Sequence, residues 1–152
     1  MTTVLLAAIA TDRTTYQVSG TVNSISSSIS NMKTTISNNL NISTLTEFTD
    51  NYLARYVVDS GYVKAAATIT AIINILKHDG NSYDHHLNNL ADLLKNNLSV
   101  TSGQSALDST NISNHFTQLG ATGDYQTYIT KTIQIIEYIF ANNSEPIPDL
   151  EK

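Results

Sequence analysis

The stretch VSGTVNSISSSISNMKTTISNNL, residues 18–40, decides the fold of this chain. Its aliphatic side chains follow one another at intervals of 4, 3, 4, 3, 4 and 4 residues. A strand would place them all at odd or all at even positions, whereas a helix with a heptad repeat requires this mixture. The stripe consists of Val18, Val22, Ile25, Ile29, Met32, Ile36 and Leu40. The spacing therefore predicts a long N-terminal helix with one apolar face.

The residues between these aliphatic positions are mostly Ser, Thr and Asn, which are poor helix formers. Each is about 0.5 kcal/mol less favourable in a helix than Ala, whereas each buried aliphatic side chain contributes about 1.5–3 kcal/mol. The helix is thus stable only if its stripe is covered, either by the rest of the domain or by copies of the same helix in a coiled coil. The β-branched residues of the stripe favour trimers or higher oligomers. A strand-rich fold is the third interpretation.

Helical periodicity continues to residue 141. After the first helix, further helices are predicted from about residue 44 and over residues 62–78, 82–98, 105–119 and 124–141. Gly61 is expected to stop or kink the second helix, and Ser82 is expected to cap the fourth. These segments predict an all-α fold, a bundle of five to six helices.

The two ends of the chain lack this periodicity. Residues 1–17 are expected to form an extended arm, and residues 142–152, which hold both prolines, an extended tail. The bundle then spans residues 18–141. At 152 residues the whole chain, 1–152, is predicted to be one helical domain.

The surface of this domain is expected to be polar but mostly uncharged. Asn, Ser and Thr supply 16, 16 and 20 residues, whereas charged residues make up 14% of the chain. A typical soluble domain has about 25% charged residues. An uncharged helix face can be buried against a neighbour without desolvating ions. The composition therefore favours repeated contacts between subunits.

The charges that are present exclude some partners. The net charge is −5, and the eight Lys and Arg residues are scattered. Because nucleic-acid-binding surfaces concentrate positive charge, we expect no nucleic-acid recognition.

The apolar run at residues 4–10 is too short to cross a membrane and has no basic residues before it. We therefore expect no membrane partner and no classical signal peptide, and a location in a virion or the cytoplasm.

One segment collects side chains that bind metals or transfer protons. Residues 78–86 contain His78, Asp79, Asp84, His85 and His86. The last two would point about 100° apart on a helix, so only one of them could face a given ion. We interpret the segment as a solvated turn, with a small helical enzyme or metal protein as the competing hypothesis. With no G-x-S-x-G motif and no glycine-rich phosphate loop, we expect no enzymatic activity, cofactor or metal.

These features predict a structural subunit of a symmetric assembly, most concretely a virion component such as a bacteriophage capsid, neck or tail protein. Its partners would be copies of itself and other subunits of the assembly, and the stripe from Val18 to Leu40 would be the interface. The eight tyrosines suit half-buried and interface positions as well. The alternative is a monomeric helical adaptor or regulatory binding module that presents a groove.

Overall fold

The computed structural model describes residues 22–42, 60–96, 100 and 103–142. These residues are organised as helices and connecting turns, with no strand among them. The elements in chain order are α1 (Val22–Leu40), α2 (Ser60–Leu76), α3 (Tyr83–Lys95), α4 (Ser109–Ile112), a 3-10 turn (Ser113–His115), α5 (Phe116–Leu119) and α6 (Asp124–Asn142). The all-helical prediction is confirmed for this part of the chain. The predicted arm, the helix predicted from about residue 44, and residues 143–152 of the predicted tail lie outside the described residues.

The helices enclose one core of aliphatic side chains. The most extensive contact joins α2 and α6, while α1 packs on α3, α3 also contacts α2 and α5, and α4 lies against α6. Each long helix supplies fully buried residues to this core, among them Ile36, Ile69, Ile72, Leu76, Leu90, Leu94, Ile129 and Ile133. The burial of α2 on several sides agrees with its being the most apolar segment of the sequence.

Helix α3 carries the clearest local signals of the chain. Ser82 is its N-cap, and the Ser82 hydroxyl accepts a hydrogen bond from the backbone N–H of His85 at 3.2 Å. Asp84 in the first turn and Lys95 in the last both suit the helix dipole. The predicted cap at Ser82 is confirmed, but the helix ends at Lys95, three residues before the predicted end.

The early end of α3 is explained by a buried amide on α1. Asn39 is 5% exposed, and its side-chain Nδ2 donates to the carbonyl oxygens of Leu94 at 2.9 Å and Asn96 at 2.7 Å. The backbone oxygen of Asn39 in turn accepts from the N–H of Ala106 at 2.7 Å. These bonds satisfy the carbonyls at the end of α3 and fix the following loop to α1.

One prediction about a helix is wrong, and another is corrected in part. The continuous helix predicted over residues 105–119 is instead a turn, two short helices and a 3-10 turn. The carboxylate of Asp108 accepts from the N–H of Ser105 at 2.9 Å, and this local bond competes with helix formation. Gly61 does not stop a helix at its own position, since it lies within α2, while the helix predicted from about residue 44 that precedes it lies outside the described residues. The burial of Tyr62 and Ala65 outweighs the low helix propensity of Gly61 there.

The turn that leads into α6 requires a glycine. Gly120 ends α5 with a φ of 73°, and the neighbouring Ala121 donates its N–H to the carbonyl oxygen of Phe116 at 2.9 Å. A Cβ atom at Gly120 would lie 3.5 Å from Nδ2 of Asn89. Helix α6 then begins at Asp124, whose carboxylate suits the helix N-terminus.

Candidate functional site

The C-terminal half of the predicted interface stripe on α1 lies inside the domain. Ile36 is 0% exposed and Leu40 is 3% exposed, and both belong to the core. Met32 is half-buried and packs on the edge of that core. These residues are thus covered by the rest of the domain and not by another copy of the helix.

The N-terminal half of the stripe consists of Val18, Val22, Ile25 and Ile29. Ile29 is half-buried, and Val22 and Ile25 are residues of the first two turns of α1. Val18 lies outside the described residues. A contact of this half with another copy of the chain stays a prediction.

A second apolar surface, which the sequence did not single out, lies on α6. Four large side chains on this helix are exposed: Tyr128 by 57%, Ile135 by 59%, Tyr138 by 70% and Ile139 by 45%. We call the face formed by these four residues the outer face of α6. Over the exposed positions of residues 127–142, all of which the structure describes, Lys131 carries the only charge.

Helical geometry explains why these residues are left outside. Ile129 and Ile133 are fully buried and define the inner side of α6. Successive residues turn by about 100°, so Ile135 and Ile139 point well away from that inner side. The helix has more large apolar residues than its inner side can bury. The sequence shows that α6 is rich in large apolar residues, but it does not show which of them remain exposed.

An open groove adjoins the N-terminal end of the outer face. It has a volume of about 540 Å³ and lies between the end of α2 and the start of α6. Its walls include Ile75, His78, Tyr125 and Tyr128, so Tyr128 belongs both to the groove and to the outer face. The Tyr125 hydroxyl donates to the carbonyl oxygen of His78 at 2.6 Å, which fixes the Tyr125 ring as one wall of the groove.

The histidine segment forms a structural brace. His86 is fully buried, and its Nε2 lies 2.8 Å from Oδ1 of Asp79. The Asp79 carboxylate also accepts from the backbone N–H and side-chain amide of Asn81, at 2.9 and 3.1 Å. The Asp79–His86 pair therefore joins the turn after α2 to helix α3. The prediction of a wholly solvated turn is wrong for His86.

The same contacts explain why the pKa of Asp79 is lowered. Burial of its carboxylate acts to raise the pKa, but the hydrogen bonds from Asn81 and His86 outweigh burial. The pKa of Asp79 therefore lies below its ordinary value of 3.8. A carboxylate held in this ionised state stabilises the turn and has no spare proton to transfer at neutral pH.

A second polar cluster lies beside a small cleft of about 100 Å³ between α2 and the turn before α4. Lys64 on α2 donates to Oδ1 of Asp108 at 2.9 Å, and the other Asp108 oxygen accepts from Ser105. Lys64 and Asp108 are both partly buried. Their charges are directed at each other, so this cluster is organised to hold the turn in place.

Neither cluster has the composition of a metal site. Among the described residues, no group of three or more His, Asp and Glu side chains converges on a common point where a metal ion could be held. His78, His85 and His86 are thus brought near the same turn without forming a shared site.

No described helix combines the length and apolar character needed to cross a membrane.

Comparison with known proteins gives no family assignment. No protein-family model matches the chain, and neither the curated proteins nor the solved structures include a significant match to it.

Proposed function

We propose that this chain is a non-enzymatic structural subunit of a symmetric protein assembly and that it contacts its neighbours through the outer face of α6. The observation that carries the proposal is the exposure of Tyr128, Ile135, Tyr138 and Ile139 on one nearly uncharged face. An exposed apolar face of this kind is typical of a surface that binds another protein.

The composition of this face supports a protein partner. Tyrosine is enriched in protein interfaces because its ring is apolar and its hydroxyl remains able to bond with water or a partner. Lys131, which lies among these residues on the helix, would need to keep its ammonium group solvated, and its long stem allows that. A net charge of −5 makes a nucleic-acid partner a poor fit for the chain.

The polar clusters support a structural role. The side chains of Asp79, Lys64 and Asp108 are engaged in hydrogen bonds that cap or brace the fold. A catalytic site instead holds a nucleophile and a base within reach of a substrate.

The most concrete form of the proposal is a virion component such as a capsid, neck or tail protein. Its support is compositional: a chain rich in Asn, Ser and Thr with few charges suits repeated contacts between copies.

A monomeric adaptor is the second candidate, and the groove beside Tyr128 favours it, because a concave, largely apolar site suits a bound peptide. Light scattering coupled to size-exclusion chromatography distinguishes the assembly subunit from the monomeric adaptor, because it measures the mass of the protein in solution. The assembly subunit has a mass that rises with concentration in multiples of 16.6 kDa. A mass that stays at 16.6 kDa up to several hundred micromolar would contradict the assembly proposal and leave the adaptor.

A further inference from the structure

The outer face of α6 combines a ridge with a groove on the same side of one helix. The ridge is formed by Tyr138 and Ile139 near the C-terminal end, and the groove lies beside Tyr128 near the N-terminal end. Tyr128 and Ile139 are eleven residues apart, which places them about 16 Å apart along the helix and within about 20° of the same direction. Ridge and groove therefore face the same neighbour.

We infer that the outer face of α6 binds a second copy of this chain in an antiparallel, two-fold arrangement, with Tyr138 and Ile139 of each copy in the groove of the other. This inference rests on the proposed function and names its partner. In a two-fold interface, residue i of one copy meets residue j of the other and the reverse contact forms at the same time. A parallel pair would place ridge against ridge and leave both grooves unfilled.

The available area is sufficient for a specific but weak contact. Side chains of this kind cover about 150–250 Å² each, so their exposed fractions amount to roughly 400 Å² per copy. Two copies would bury roughly 800 Å² from these four residues alone. The walls of the two grooves bring the total near the lower bound for specific interfaces, about 1,000–1,200 Å². We therefore expect a weak dimer, with a dissociation constant on the order of micromolar.

Cross-linking tests the arrangement directly, because the chain contains no cysteine. Tyr128→Cys and Ile139→Cys are prepared as two separate proteins, mixed and oxidised. The antiparallel pair brings positions 128 and 139 of different copies together, so the mixed disulfide forms several-fold faster than either like pair. Two copies of position 128 would be about 16 Å apart along the helix, beyond the roughly 7 Å between Cα atoms that a disulfide can bridge. Asn88→Cys, exposed on α3, is the control and cross-links at background level.

The unsubstituted chain gives a second test that does not depend on the folding of a variant. In a mixture of isotope-labelled and unlabelled copies, intermolecular magnetisation transfer is expected between the Tyr128 ring and the Ile139 methyl groups. Fast cross-linking of like pairs, or a dimer without that transfer, overturns the arrangement but leaves the proposed function. A chain that stays monomeric at several hundred micromolar overturns both.

Discussion

Glu137 of α6 accepts two hydrogen bonds from Ser109, one from the backbone N–H at 2.8 Å and one from the hydroxyl at 2.6 Å. Ser109 is the first residue of α4, so the carboxylate lies at the N-terminus of that helix, where a negative charge is favourable. Glu137 and Tyr128 are nine residues apart and point in opposite directions on α6, about 180° apart. The contact thus holds the inner side of α6 against α4 while Tyr128 faces outward.

Replacing Glu137 tests this contact. Glu137→Gln keeps the shape of the side chain but removes the charge and one acceptor, so we expect the free energy of unfolding to fall by about 1–3 kcal/mol. Urea denaturation measures the change. Gln134→Ala, an exposed position on the same helix, is the control and changes stability by less than about 0.5 kcal/mol. Equal stabilities of the two variants would show that the Ser109 contact contributes nothing.

The buried amide of Asn39 gives a second prediction. Asn39→Ala leaves the carbonyl oxygens of Leu94 and Asn96 without their donor, and we expect a loss of about 1–3 kcal/mol in the free energy of unfolding. The neighbouring Asn38 is exposed. Asn38→Ala is therefore the matched control, and a loss of the same size in both variants would contradict a special role for the buried amide.

The Asp79 contacts make stability depend on acid pH. Because the pKa of Asp79 in the folded chain lies below 3.8, the ionised carboxylate stabilises the fold above that pH. This contribution is lost as the pH falls below 3.8 through the lower pKa of the folded state. Asp79→Asn should lower the free energy of unfolding at neutral pH by about 1–3 kcal/mol.

The measurement is the difference in stability between the unsubstituted chain and Asp79→Asn as a function of pH. That difference should be constant at neutral pH and should narrow only on the acid side of 3.8. A difference that keeps the same size down to pH 2 would contradict the account.

Two isoleucines on α6 test the assignment of its faces. Ile133 is fully buried and Ile135 is 59% exposed, although they are only two residues apart. Ile133→Ala should cost about 2–5 kcal/mol of unfolding free energy, because it leaves a cavity in the core. Ile135→Ala should cost less than about 0.5 kcal/mol when measured below the concentration of self-association. Similar costs for both would mean that the outer face is covered within the chain.

Local signals in the sequence were sufficient for the helices with clear caps. Ser82 and Asp84 marked the start of α3, and α6 begins at Asp124 as its spacing predicted. The turn at residues 105–108, where a helix was predicted to begin, depends partly on a contact between distant residues. Asp108 holds its turn partly through Lys64, 44 residues earlier in the chain, and no local pattern reports that pair.

The exposed apolar face of α6 was harder to predict than the helices, for a physical reason. Periodicity shows which residues of a helix are apolar, but it does not show how much of the helix its neighbours cover. On α1, Ile36 and Leu40 are covered within the domain. On α6, Ile135 and Tyr138 remain exposed because the inner side is already occupied by Ile129 and Ile133. The numbers of apolar positions on the two helices give no way to tell these outcomes apart.

Sedimentation equilibrium of two matched variants tests the central claim, that subunits meet through the outer face of α6. Ile135→Lys and Asn88→Lys each add the same charge at an exposed position, the first on the outer face of α6 and the second on α3. We predict that the unsubstituted chain and Asn88→Lys associate with similar dissociation constants, whereas Ile135→Lys weakens association at least tenfold. Unchanged association of Ile135→Lys would contradict the claim.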